Sequence, residues 1–154
     1  MASTHRPLQI LALVAAAIAV ALAAHAIDVN TGLPVATMKI GAKTLTVEVA
    51  ITGEQQRVGL MNRKEMADDH GMIFIYAKPK RVRFWMKNTY IPLSTAFVAE
   101  DGTIVKIADM EPLTETHHEP DVPVRYVIEA NRGWFAGAGV RVGDRIDVSA
   151  FAGR

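Results

Sequence analysis

Lys43-Thr44-Leu45-Thr46-Val47-Glu48-Val49-Ala50-Ile51 places Leu45, Val47, Val49 and Ile51 on one parity and Thr44, Thr46, Glu48 and Ala50 on the other. Successive side chains of a strand point to opposite faces, so this period of two reads as a half-buried β-strand. Working backwards, Gly41-Ala42 separates it from the apolar stretch Met38–Ile40, as a two-residue hairpin turn would. Working forwards, Thr52 followed three residues later by Gln55 has the spacing of a capping box. It predicts a short helix ending near Leu60, with Val58 and Met61 facing inward.

The remaining chain continues in the same register of short elements. Asn62–His70 is polar and irregular, whereas Gly71–Tyr76 is a continuous apolar run of the length of a strand buried on both faces. Lys78-Pro79-Lys80 is expected to break it. Val82, Phe84 and Met86 then alternate with Arg81, Arg83, Trp85 and Lys87. Ser94–Ala99 and Thr103–Ala108 flank a turn at Asp101-Gly102, and Asp109–Pro123 has loop composition, with three prolines. Val124–Ala130 and Arg145–Phe151 complete the strands, separated by a glycine-rich turn region, Trp134–Gly143. Seven or eight short strands and one short helix predict a mainly β domain, a small antiparallel β-sandwich or partly closed barrel. No long helices alternate with the strands, which argues against a doubly wound α/β fold.

The N-terminus reads differently. A short basic start (His5, Arg6), an Ala/Leu/Val/Ile run over Leu8–Ala24 and the triplet Ala24-His25-Ala26 form the pattern of a secretory signal peptide, with cleavage expected after Ala26. The organisation predicted is a signal peptide over 1–26, a linker over 27–36 and a β-rich domain over 37–152. The expected location is therefore periplasmic or secreted. The alternative is an inner-membrane anchor formed by the uncleaved segment, since its 17 residues reach the short edge of the roughly 17–25 a spanning helix needs. After cleavage no membrane association is expected.

Of the 17 basic residues in the chain, only Arg6 lies before Ala26, and none of the 16 acids does, so the mature chain carries 16 of each. Zero formal charge argues against non-specific binding to nucleic acid, which needs a basic excess or patch. The absence of cysteine excludes disulfides, thiol catalysis and Cys-ligated zinc.

Several stretches together carry a family resemblance. They are Glu48-Val49-Ala50, Glu54–Met61 with Arg63, Gly71-Met72-Ile73-Phe74, Phe84-Trp85-Met86-Lys87-Asn88-Thr89 with Ile91-Pro92-Leu93, Asp101-Gly102, Val127-Ile128-Glu129-Ala130 and Gly143-Asp144. From about Thr37 to Val148 the chain resembles the DUF192 family, also called the UPF0127 group. The resemblance implies a compact, mainly β domain, often exported in bacteria, and no catalytic assignment. Many members carry Asp after the Pro-Leu pair, where this chain has Ser94; a ligand or acid role of that Asp would be weakened here.

Candidate site residues follow from the alternation. With Val82, Phe84 and Met86 inward, Arg83, Trp85 and Lys87 share the outer face. A tryptophan among cations there suits an anionic or saccharide ligand, because a guanidinium stacks on indole. The alternative has the short helix or Asn62–His70 covering Trp85 as second-layer core. Asn88 and Thr89 are either ligand donors or turn architecture. Arg57 and Arg63 either extend the positive patch or pair with Glu54, Glu65 or Asp68. Glu48, Asp101, Glu129 and Asp144 are candidates for a glycosidase-type carboxylate pair, although Glu129 shares a strand face with Arg125 and Asp144 follows a turn glycine. His117-His118-Glu119 with Asp121 lacks the spacing of a zinc motif. Met61, Met72 and Met86, although thioethers suit soft metals, read as core filler. No metal and no cofactor is expected. The function read is an exported cell-envelope binding or accessory module for an anionic or saccharide-like ligand. The alternatives are an envelope hydrolase using Glu129 or Asp144 near Lys87 and Asn88, or a protein-interaction domain with no small ligand.

Overall fold

A computed structural model describes residues 29–153. The export signal read over 1–26 lies outside the described residues. Six strands form one sheet: β1 (Val35–Ile40), β2 (Lys43–Ala50), β3 (His70–Lys80), β4 (Leu93–Val98), β5 (Ile104–Met110) and β6 (Val124–Asn131), in the order β1-β2-β3-β6-β4-β5. Two short helices, α1 (Gly53–Val58) and α2 (Trp134–Gly137), and a 3₁₀ turn at Ser149–Phe151 complete the described elements. The domain is mainly β, as the sequence predicts. The sheet is not closed into a barrel.

The alternation is realised from Lys43 to Val49 and then breaks: Ala50 is buried and Ile51, read as inward, is exposed past the strand's end. Leu45, Val47 and Val49 are fully buried, and β1 pairs with β2 through a turn at Gly41-Ala42. β1 begins at Val35, two residues before the boundary read from the sequence. At α1 the capping box forms: the Thr52 hydroxyl accepts from the Gln55 N–H at 3.2 Å, and the Gln55 side chain accepts from the Thr52 N–H at 3.0 Å. Val58 is buried as expected, while Met61 is half-buried.

Antiparallel pairing fails at one place. β2 and β3 run parallel, Thr46 opposite His70 and Ala50 opposite Phe74. A parallel pair requires a crossover of a dozen or more residues, and α1 with the irregular stretch to Asp69 supplies it. Lys78-Pro79-Lys80 does not end β3; the ladder to β6 instead shifts register between Ile75 and Lys80. Residues 82–86 keep their inward and outward alternation without a continuous ladder, joined to the fold by one bridge between Phe84 and His118. Arg145–Phe151 is likewise no strand: a single bridge, Thr103 to Arg145, precedes the 3₁₀ turn.

Both faces of the sheet are covered, which is why Gly71–Tyr76 of β3 reads as a continuous apolar run and β4 is buried along its whole length. On one face Leu45, Val47, Ile73, Ala96 and Ile128 pack under the C-terminal segment through Trp134, Phe135, Ile146 and Phe151. On the other, Met72, Phe74, Leu93, Phe97 and Val127 pack under the stretch from Val82 to Ile91. The second layer ends before it covers β3 and β6 completely, and the uncovered part is a cleft.

Candidate functional site

The cleft lies between two walls. One is α1 with the turn Gly59-Leu60-Met61; the other is Arg83–Thr89 with His117; Phe74, Tyr76 and Glu129 from β3 and β6 form the floor. Its volume of about 490 Å³ lies in the range of small-molecule sites, roughly 300–1,000 Å³. Gly59, at φ 50°, ends α1 in a conformation that favours glycine and turns the chain inward beside the Phe74 ring. Asn62 and Asn88 also take the left-handed conformation, and the Asn62 N–H donates to the Asn88 carbonyl at 2.7 Å, so the two walls are tied backbone to backbone.

The wall carrying Arg83 to Thr89 is braced from behind by the loop read as 109–123. Phe84 and His118 exchange backbone bonds, the Met86 N–H donates to the Thr114 carbonyl, and the Leu113 N–H donates to the Thr89 carbonyl. Phe84 anchors it below, its ring edge-on to Phe74 at 4.9 Å and to Phe97 at 5.8 Å. The opposite wall is tied to the segment read as linker: the Asn30 amide donates to the Gln55 and Gly59 carbonyls at 2.8 and 2.9 Å. The Gln55 carbonyl also accepts from the Gly59 N–H at 2.9 Å, so Asn30 takes up its second lone pair.

Seven of the sequence candidates line this one cleft: Arg57, Arg83, Trp85, Lys87, Asn88, Thr89 and Glu129. Trp85 is 37% exposed, stacked on His117 at 5.7 Å with Lys87 Nζ 5.2 Å from its ring. Neither α1 nor Asn62–His70 turns it into second-layer core. Arg57 pairs with Glu54, and Lys87 lies 3.6 Å from Glu115. Arg83 makes no hydrogen bond or ion pair among the described residues. Thr89 is buried and its hydroxyl donates to the Lys87 carbonyl, a turn role. The Asn88 amide has no hydrogen bond among the described residues, which leaves it available to a ligand.

Arg63 and Asp144 lie elsewhere. Arg63 forms a two-pronged pair with Glu48, one contact at 2.7 Å, in a separate depression that also holds Asn30. The Asp144 carboxylate accepts from the Arg141 N–H in a turn. Asp101 is held by Thr103 and Arg145. Among the residues lining the cleft, Glu129 is thus the lone carboxylate, and no glycosidase-type pair forms there.

Glu129 itself departs from its expected pairing. Arg125 pairs with Glu100 and donates to the Ala152 carbonyl. Glu129, opposite Met72 and Thr95 in the ladders, is 4% exposed and makes no hydrogen bond among the described residues. Burial pushes its carboxyl up to about 8, so it is largely neutral at pH 7. Burial, and then the neighbouring Glu129, also push the Tyr76 phenol up, keeping that hydroxyl protonated. Across the ladder the Thr95 hydroxyl is buried without a partner. Sequence reasoning did not reach Phe74, Tyr76, Gln56 or His117 as cleft residues, because their convergence depends on contacts far apart in the chain.

Ser94 sits outside the cleft. It pairs with Ala130, on the opposite sheet face from Glu129; its hydroxyl donates to Asp109 at 2.5 Å and accepts from the Gly133 N–H. Having Ser there in place of Asp leaves the cleft lining untouched. His117 and His118 also separate, His117 onto Trp85 and His118 into the Phe84 bridge. No group of three metal-ligating side chains occurs among the described residues. Met72 and Met86 are buried core.

Comparisons with known proteins place this geometry in context. The family model DUF192, described as uncharacterised ACR, matches residues 35–148. A crystal structure from Sinorhizobium meliloti 1021, of a protein provisionally described as a transcription regulator, is 40% identical with a TM-score of 0.70, covering 76% of this chain and 97% of that one. Another, of a protein of unknown function from Novosphingobium aromaticivorans DSM 12444, is 35% identical with a TM-score of 0.70, covering 79% of this chain and 91% of that one. No curated protein matches.

Proposed function

The chain belongs to the DUF192 family, and from that premise we propose that it is an exported cell-envelope binding or accessory module whose cleft takes an anionic or saccharide-like ligand. The observation that carries this reading is the cleft between α1 and Arg83–Thr89, with an exposed tryptophan and cations at its rim and a neutral carboxyl at its floor. An indole face packs on a sugar ring, rim cations meet anionic groups, and a protonated carboxyl both donates to and accepts from hydroxyls. Export rests on the sequence of residues 1–26. No helix among the described residues is long and apolar enough to cross a membrane. For the hydrolase alternative the cleft holds Glu129 with Lys87 and Asn88 but neither Asp144 nor a second carboxylate, and Glu129 is largely neutral at pH 7, so binding is the simpler use of the site.

A thermal-shift series with the purified protein tests this, using envelope saccharides, anionic polymers and phosphate beside Trp85→Ala. A ligand of the folded state raises Tm in proportion to RT ln(1 + [L]/Kd). The expected result is a shift of several degrees with a saccharide or anion that Trp85→Ala loses. A variant that shifts as the wild type does, or no shift with any member of the series, contradicts the proposal.

A further inference from the structure

Two ionisable groups in the cleft are unmatched: among the described residues neither Glu129, buried at the floor, nor Arg83, on the wall, has a hydrogen-bond partner. The other rim cations are engaged, Arg57 by Glu54 and Lys87 by Glu115. The Glu129 carboxyl is not sealed off: it opens onto the cleft, where a ligand group can bond it. Glu129 lies opposite Met72 and Thr95 in the ladders and beside Tyr76, and Phe74 and Phe84 line the same cleft.

We infer that the cleft takes a ligand bearing both charges, with an amine seated on the Glu129 carboxyl at the floor and an anionic group of the same molecule paired with Arg83 at the rim. The inference rests on the binding function proposed above and narrows its ligand class. An ammonium reaching the floor makes charge-assisted hydrogen bonds in a low-dielectric site, about twice as strong as neutral ones. The aromatic rings there accept a cation on their faces. A purely cationic ligand meets Arg57, Arg83 and Lys87 on its way in, and a purely anionic one leaves Glu129 uncompleted. A zwitterion answers both.

Seating an ammonium on Glu129 requires the carboxylate form. With the empty site titrating near 8, ionisation at pH 7 reduces affinity about tenfold and releases close to one proton on binding. The titratable and charged groups lining the same cleft are Tyr76 on β3, Arg57 on α1, and Arg83, Lys87 and His117 on the other wall. Of these, Tyr76 is the one whose own titration Glu129 moves, and it stays protonated throughout this range.

The test is calorimetric titration of the full protein at pH 7, in two buffers of different ionisation enthalpy. The probes are glycine, 4-aminobutyrate and 6-aminohexanoate, with butylamine and hexanoate as single-charge controls. One of the three amino acids is expected to bind at least tenfold more tightly than both controls, with about one proton released. Glu129→Gln, which keeps the side chain's shape, abolishes the proton release and weakens binding at least tenfold; Arg83→Gln, an exposed change, weakens it several-fold. No advantage of any amino acid over the controls, or equal binding by Glu129→Gln, overturns the inference. If a neutral saccharide or simple anion binds in a Trp85-dependent way while the amino acids do not, the binding function stands and this inference falls. Silence from both series removes both.

Discussion

Glu129→Gln is expected to leave stability nearly unchanged at pH 4 and to raise it by on the order of 3–5 kcal/mol at pH 9. The reason is the site of the carboxyl. Folded, it titrates near 8; unfolded, it titrates near the ordinary 4.5. A pKa raised by folding means that the unfolded state loses its proton first. The stability of the wild-type protein is therefore whole below about pH 4.5 and declines as pH rises through 8, at up to about 1.4 kcal/mol per unit. Glutamine has no proton to lose, so the variant lacks that decline. Tyr76, the one group whose titration Glu129 moves, stays protonated in the folded protein across this range, so the difference between the two proteins isolates Glu129. Urea unfolding of both between pH 4 and pH 9 measures it; parallel curves would show that Glu129 is solvated or bonded in the folded protein.

Phe84→Ala is expected to cost about 3–5 kcal/mol and to abolish ligand binding in whatever fraction remains folded. Phe84 holds the wall that carries Arg83 and Trp85, through edge-on contacts with Phe74 and Phe97 and a bridge to His118. No sheet ladder holds residues 81–91 in register, so removing the ring removes the main attachment of that wall as well as its buried area. Phe84→Leu keeps most of the volume, and its loss is expected to be less than half as large. Denaturant midpoints of the two variants measure the effect. Equal and small losses would mean that the backbone bonds to 113–118 suffice to hold the wall.

What the sequence made legible was local. Leu45, Val47 and Val49 announced their strand by period, Thr52 and Gln55 their helix start, and Gly71–Tyr76 a strand covered on both faces. Val82, Phe84 and Met86 pointed inward as their alternation required, although no ladder forms there; burial sets the alternation, while a ladder needs a neighbouring edge. The same distinction explains Ile146, Val148 and Phe151. They are buried, yet their segment caps the sheet without extending it. The parallel β2–β3 pair departs from the antiparallel fold that the short strands and turns predict, although a connection of this length suits a crossover. The length of 51–69 was the available signal.

The cleft was legible in part for the same reason. Arg83, Trp85, Lys87 and Asn88 are near neighbours in the chain, so their shared face follows from strand geometry. Glu129 was singled out with a different partner in mind, because sequence shows that Arg125 and Glu129 share a face but not that Glu100 and Ala152 claim the arginine first. Arg63 reads from the sequence as a companion of Arg57, but Glu48 holds it in a separate depression. That Phe74, Tyr76 and His117 line one cleft with Glu129 depends on the β3–β6 ladder and on the loop behind Trp85, which no local pattern encodes.

An open cleft is floored by a buried carboxyl, Glu129, that has no hydrogen-bond partner among the described residues. The most direct measurement is the carbon-13 NMR titration of the Glu129 carboxyl, assigned by its absence from Glu129→Gln. The claim predicts a midpoint near pH 8. A midpoint near 4.5, the value of an ordinary solvated glutamate, would contradict it.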